Sequence, residues 1–250
     1  MLALLLASLP LTGVPASSGA VVVRPGSPAQ ARALARFRAR RAVLRCGGAR
    51  VRELALSFDD GPTTLTSALV AQLAAHHARA TFFLIGRDIA PHAAAVAAEA
   101  AAGDEIGNHT WSHRDLTTLS PAAVDRELSE TSRAIRVASG TAPRLVRPPG
   151  GNRDAAVDGV IRAHGLIETL WSIDPRDWAS DDPVAIADTV LDEATPGAIV
   201  LLHDGRPATL AALPEILDGL RARRLRLVTI PRLLADDPPT SPACAPPLGS

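Results

Sequence analysis

Two aspartates stand side by side at Asp59 and Asp60, and two histidines, His109 and His113, are spaced i, i+4. Further along come Arg147, the carboxylates Asp174 and Asp177, and the pair His203–Asp204. Adjacent carboxylates repel each other, and a cation relieves that repulsion. One of them can bind a metal while the other handles a proton. Two imidazoles one helical turn apart face the same way. With one carboxylate they form a two-His, one-carboxylate set, which leaves coordination positions for water and substrate, as catalytic zinc sites do. Each signal is weak alone. His-x-x-x-His is common without a metal, and Asp59-Asp60-Gly61-Pro62 reads equally well as a plain turn.

The weight comes from where these residues sit. Strand patterns are read at Glu53–Phe58, Ala80–Ile85, Glu105–Gly107, Leu145–Val146, Ile167–Ile173, Ala198–Leu202 and Arg226–Ile230. Helix patterns lie between them: Thr66–His76, Ile89–Ala102, Pro121–Ser139 after a Ser120 cap, Ala155–Ala163, Pro183–Glu193 and Leu210–Arg223. Regular alternation implies parallel strands, in a barrel or a doubly wound sheet. Each ionisable group above falls just past the end of a strand. In a parallel barrel those ends share one face, the face that carries active sites. His76, His77, His92 and His164 fall in helices or at their ends and are read as surface or packing residues.

The bulk properties are permissive. A chain of 250 residues suits one domain plus tails, and a hydrophobic fraction of 47% supplies a core. Twenty-six basic residues, all Arg, balance 26 acidic ones, so no nucleic-acid partner is expected. Leu2–Leu11 is an apolar run of the length of a signal-peptide core, followed by small residues, although no basic residue precedes it. It falls short of the about 20 residues a membrane span takes. Residues 1–20 are therefore expected to be a signal peptide, with a secreted or extracytoplasmic protein. Residues 21–50 read as an Arg-rich extension with a short solvated basic helix, 51–235 as the catalytic domain, and 236–250 as a disordered Pro-rich tail. Cys46 and Cys244 flank the patterned region. Either they form one disulfide tying the ends together or both remain thiols.

Taken in order, five segments resemble the motifs of the polysaccharide deacetylase family (NodB-homology domain, carbohydrate esterase family 4). They are Ser57-Phe58-Asp59-Asp60-Gly61-Pro62, His109-Thr110-Trp111-Ser112-His113, Arg147-Pro148-Pro149-Gly150-Gly151, Asp174-Pro175-Arg176-Asp177-Trp178 and Leu201-Leu202-His203-Asp204. Ala80–Gly86 is similar to the family's second strand, and the likeness covers roughly residues 53 to 234. The resemblance implies an α/β fold, a distorted (β/α) barrel of about seven or eight parallel strands. It implies Asp60, His109 and His113 as ligands of one divalent metal, Zn2+ first, with Co2+ or Ni2+ also suited. It implies Asp59 as general base, His203 as general acid, Arg147 as the group orienting the base and Asp177 as support for the acid. Pro149, Gly150, Trp178 and Leu201 are the implied substrate contacts. Gly150 departs from the family, which usually has an aromatic residue there. The backbone N–H survives that change and one groove wall is lost.

The implied reaction is hydrolysis of a linear amide, removing N-acetyl groups from a peptidoglycan- or chitin-like N-acetylglucosamine polymer to give acetate and free amine. An acetylxylan-type O-deacetylase on the same site is the alternative, and a non-catalytic carbohydrate-binding descendant is another. A metallo-phosphoesterase is disfavoured, because such sites usually hold two metals and ligands for one are seen. The expected partner is a polysaccharide or oligosaccharide; the protein is expected to be monomeric, with no stable membrane span and with cell-wall association in keeping with export.

Overall fold

The structure, a computed structural model, describes residues 26–240. The signal-peptide reading of residues 1–20, the end of the Pro-rich stretch and Cys244 lie outside the described residues. Helix α1 (Pro28–Ala39) opens on a Ser27 cap, with Pro28 in its first turn and Gln30 bonding back to the Ser27 N–H. Then follow β1 (Glu53–Gly61), α2 (Thr66–Ala75), β2 (Thr81–Leu84), α3 (Gly86–Ile89), α4 (Ala93–Ala102), β3 (Glu105–Asn108) and α5 (Pro121–Ser139). The second half contains β4 (Leu145–Val146), α6 (Ala155–Ala163), β5 (Ile167–Glu168), α7 (Pro183–Glu193), β6 (Ile199–His203), α8 (Pro207–Ala222), β7 (Arg226–Leu227) and α9 (Ile230–Asp236).

All strand pairings are parallel, in the order β5-β4-β3-β2-β1-β6, with β7 beside the start of β1. The seven strands among the described residues form the expected distorted barrel. Between β5 and β6 closure is irregular. Ser172 and Ile173 N–H groups bond to Ile199 O, Leu201 N bonds to Ile173 O, and Leu44 exchanges bonds with Glu168 and Leu170. The expected strand Ile167–Ile173 therefore stops at Glu168. Beyond it the Thr169 and Leu170 carbonyls turn inward to a side chain, Arg147, and leave the ladder.

Strand periodicity decides what faces inward. Leu54, Leu56 and Phe58 pack outward with α2, α7 and α8 in the main core. Ala55, Ser57 and Asp59 point to the other side, as do Leu201 and His203 on β6. At the amino-terminal end of the strands, Ala55, Phe83, Leu145, Ile167 and Ile199 are plugged by Leu34 and Phe37 of α1 and by Leu233 and Leu234 of α9. The basic helix is thus not a solvated one. Ala33, Leu34 and Phe37 form a buried stripe while Arg32, Arg36 and Arg38 stay exposed. Burial of Leu34 and Phe37 contributes about 1.5–3 kcal/mol each. Residue 51 is accordingly no boundary of packing.

Other boundaries shift for local reasons. The expected helix Ile89–Ala102 begins as α4 only at Ala93, because the Pro91 segment forms a 3-10 turn at Ala90–His92 after α3 ends at Ile89. Pro231 starts α9 where a longer last strand was expected. The stretch expected to be a tail begins inside the fold. The buried Asp237 carboxylate accepts from Arg50 N, Nε and Nη2 and from Val51 N, at 2.6–3.2 Å. The Cys46 backbone forms an isolated antiparallel bridge with Ala198, just before β6, and no free cysteine occurs among the described residues.

Candidate active site

The carboxyl ends of β1, β3, β4 and β6 meet where the chemistry-bearing residues lie. β1 continues past Phe58 and carries both aspartates. Asp59 is buried, and Asp60, the next residue, has φ 67°. That left-handed kink turns its carboxylate away from the strand's alternation and toward the loop after β3. Asp60 Oδ1 lies 3.4 Å from His109 Nε2 and 3.1 Å from His113 Nε2. The two imidazole centroids are 4.9 Å apart.

A helical turn does not bring these histidines together, as the spacing suggested. They sit on a loop with Thr110 at φ 67° and His113 at φ 57°. His109 Nδ1 donates to Arg147 O at 2.7 Å, which leaves its Nε2 as a lone pair facing Asp60. Asp60 Oδ1 is buried there without a hydrogen-bond partner, despite two ring nitrogens nearby. A negative oxygen and imidazole lone pairs converging within 4.8 Å are a donor set that fits a divalent cation. Burial pushes the Asp60 pKa up, but in the metal-free site imidazole nitrogens that carry protons toward it outweigh burial and hold the carboxyl well below the usual range. Asp60 is therefore an anion.

Asp59 is gripped from behind. Arg147 is completely buried; its Nη1 donates to Asp59 Oδ1 at 2.6 Å. Nη2 donates to Ser57 Oγ and Leu170 O, and Nε to Thr169 O. The guanidinium also lies over the Phe83 ring at 4.2 Å. Burial lowers the Arg147 pKa and Asp59 opposes that.

On the neighbouring strand His203 is the register partner of Asp59, and Asp204 N donates to Asp59 O at 2.8 Å. Asp177, fully buried, accepts the His203 Nδ1–H hydrogen bond at 2.7 Å on one oxygen. Its other oxygen accepts from His203 N and Thr209 Oγ1. Burial pushes the His203 pKa down, but Asp177 first, then Asp59 and Asp60, raise it above the ordinary value. Asp174 takes no part; it caps its own turn through Arg176 N.

This geometry has relatives. The polysaccharide deacetylase family model matches residues 47–168. A chitooligosaccharide deacetylase of Rhizobium leguminosarum bv. trifolii is 38% identical over 72% of this chain and 91% of its own length. The chain belongs to the polysaccharide deacetylase family. A peptidoglycan-N-acetylglucosamine deacetylase, PgdA of Listeria monocytogenes, is 34% identical over 74% of this chain, which spans 39% of that protein. Among solved structures, a family 4 carbohydrate esterase from Streptomyces lividans in complex with acetate superposes with TM-score 0.69. It is 36% identical, covering 72% of this chain and 94% of that one.

In this deacetylase the remaining expected residues adjoin the site residues along the chain. Leu201 is buried on β6, two residues before His203 on the same face. Trp178 is 48% exposed, with the Arg176 guanidinium 5.1 Å from its ring. Pro149 is buried, and the exposed Gly150 has φ 63°. A Cβ at Gly150 would meet only Asn152, at 3.4 Å, so conformation rather than space favours glycine. A cavity of about 760 Å3 near the starts of β3 and β4, lined by Asp104, Glu105 and Arg144, shares none of these residues.

Sequence reasoning missed several supports. Ser57, two residues before Asp59, was legible from strand periodicity as a neighbour on the same face. Thr209, in the first turn of α8, carried no signal beyond its nearness to His203. Thr63 and Thr66 hold Asp204 through their hydroxyls. Glu127, on α5, gave no signal at all; its carboxylate accepts from Trp111 N, Ser112 N and Ser112 Oγ.

Proposed function

We propose that this protein hydrolyses N-acetyl groups on an N-acetylglucosamine-containing polysaccharide, releasing acetate and leaving a free amine. The observation that carries the reading is the register of β1 and β6. It sets a proton acceptor, Asp59, opposite a proton donor, His203, beside the Asp60–His109–His113 set. The relatives named for chitooligosaccharide and peptidoglycan deacetylation support the substrate class.

Asp60, His109 and His113 would hold one divalent cation, Zn2+ first, with Co2+ and Ni2+ compatible with the same donors. When bound, it polarises the acetyl carbonyl and makes the attacking water easier to deprotonate. Asp59 takes that proton, with Arg147 holding the carboxylate in line. Gly151 N–H is spent on Pro148 O and Asn152 N–H on Pro149 O, which leaves Gly150 N–H as the loop's donor for the oxyanion. His203, with Nδ1 fixed on Asp177, presents Nε2 to the leaving amine and protonates it. Without that proton the tetrahedral intermediate would expel water instead. Trp178 and Leu201 form walls of the acetyl pocket and groove. The apolar run at residues 2–11 favours export and action at the cell wall.

The test is acetate release from chitooligosaccharide and from acetylated xylan, with Zn2+ or Co2+ added. Release from the amide substrate supports the reading, and release from xylan alone favours the O-deacetylase. No acetate from either favours a binding protein. Asp59→Asn should lose turnover and keep the metal, whereas His113→Ala should lose both.

A further inference from the structure

We propose that Glu127 is a positioning residue for the metal set, acting through the loop that carries His113. This rests on the metal reading above and adds a residue outside the five motifs. The 109–113 loop follows a path that is costly by itself. Thr110 and His113 are both left-handed, at about 1–2 kcal/mol for each non-glycine residue. Such a conformation persists only where its surroundings over-determine it. His109 has its own anchor, the Nδ1 bond to Arg147 O. For His113 the anchor is the loop.

α5 holds that loop at two points. Asn108, just before it, donates to Leu128 O and Ser132 Oγ and accepts Thr110 N at 2.8 Å. Glu127 holds the middle. Its Oε2 accepts two consecutive backbone donors, Trp111 N at 2.7 Å and Ser112 N at 2.8 Å. Its Oε1 accepts Ser112 Oγ at 2.6 Å. Successive N–H groups converging on one oxygen form an anion nest, here filled by a side chain from another element. His113 N then bonds back to Thr110 Oγ1 at 3.1 Å. Glu127 thus fixes the two residues between the left-handed ones, and so the direction in which the His113 imidazole leaves the backbone. Outer groups that orient ligands typically control metal affinity by about 10- to 100-fold.

The experiment is a Co2+ titration of the metal-free full chain, followed by visible absorption, alongside urea unfolding without metal. Glu127→Ala should bind Co2+ about 10- to 100-fold more weakly, with an altered ligand-field spectrum. Glu127→Gln should return close to wild type, because its amide oxygen can accept both N–H groups while its N–H faces Ser112 Oγ. Wild-type affinity in Glu127→Ala overturns the proposal, and so does a Glu127→Gln as weak as Glu127→Ala. Should Glu127→Ala fail to fold, Ser112→Ala carries the test. Weaker binding with unchanged metal-free unfolding supports the proposal, and unchanged binding overturns it. A wild type that binds no Co2+ refutes the metal site itself, and this inference with it.

Discussion

Replacing Arg147 with methionine should be among the most damaging single changes in this protein. Methionine fills much of the aliphatic space against Phe83 but removes four donated bonds, to Asp59, Ser57, Leu170 O and Thr169 O. Asp59 stays buried and ionisable with no cation beside it. Removing one partner of a buried ion pair costs about 3–5 kcal/mol, most of it the penalty on the charge left behind. For a domain of this size each kcal/mol lowers Tm by roughly 2–4 °C, so a fall of roughly 6–20 °C is expected. Urea unfolding and calorimetry of the metal-free protein at pH 7 measure it. Arg147→Lys keeps the charge and loses the fork, so it should fall between wild type and methionine. Adding Asp59→Asn to Arg147→Met should recover part of the loss, since the unpaired charge is then gone. A loss below about 1 kcal/mol, or no recovery in the double variant, would refute the account of a charge held by its counter-ion.

Asp177→Asn should lower kcat by up to about 10^4-fold, the scale for breaking a buried Asp–His orientation. It should also move the alkaline limb of the kcat profile to lower pH, because Asp177 raises the His203 pKa. By linkage the raised His203 stabilises the fold below the ordinary histidine range and loses that contribution as pH rises through its folded value. The variant's unfolding midpoint should accordingly vary less with pH there. Glu99 is fully buried with neither oxygen partnered, and burial, then Asp204 and Asp104, push its pKa well up. The native state keeps the proton that the unfolded chain releases above about pH 4.3, so stability falls as pH rises from there. Glu99→Leu should raise Tm at pH 7.5 and much less at pH 4; equal shifts at both would count against it. Gly150→Ala should cost about 1–2 kcal/mol through its left-handed φ, with Gly150→Asn milder, by urea titration.

The outward strand residues were readable because a period of two over Leu54, Leu56 and Phe58 is a local property. The site was readable because ionisable residues interrupt apolar runs at strand ends. What escaped were conformations imposed from elsewhere. The i, i+4 histidines suggested a helical turn, but Glu127 and Asn108 hold a left-handed loop that no local pattern announces. The Arg-rich helix looked solvated because its apolar stripe is short. What it covers is the amino-terminal end of the strands together with α9, a helix that begins where the expected last strand ends. β5 ended early because Arg147, more than twenty residues away, claims the carbonyls that another strand would have used.

The pairing of β1 with β6 has a further consequence. Sliding one strand past the other by a single residue would exchange every inward side chain for an outward one, and Asp59 would no longer face His203. Catalysis therefore reads out a single correct alignment of two segments far apart in the chain. During renaturation, acetate release should return only with that alignment, later than overall compaction or helix content.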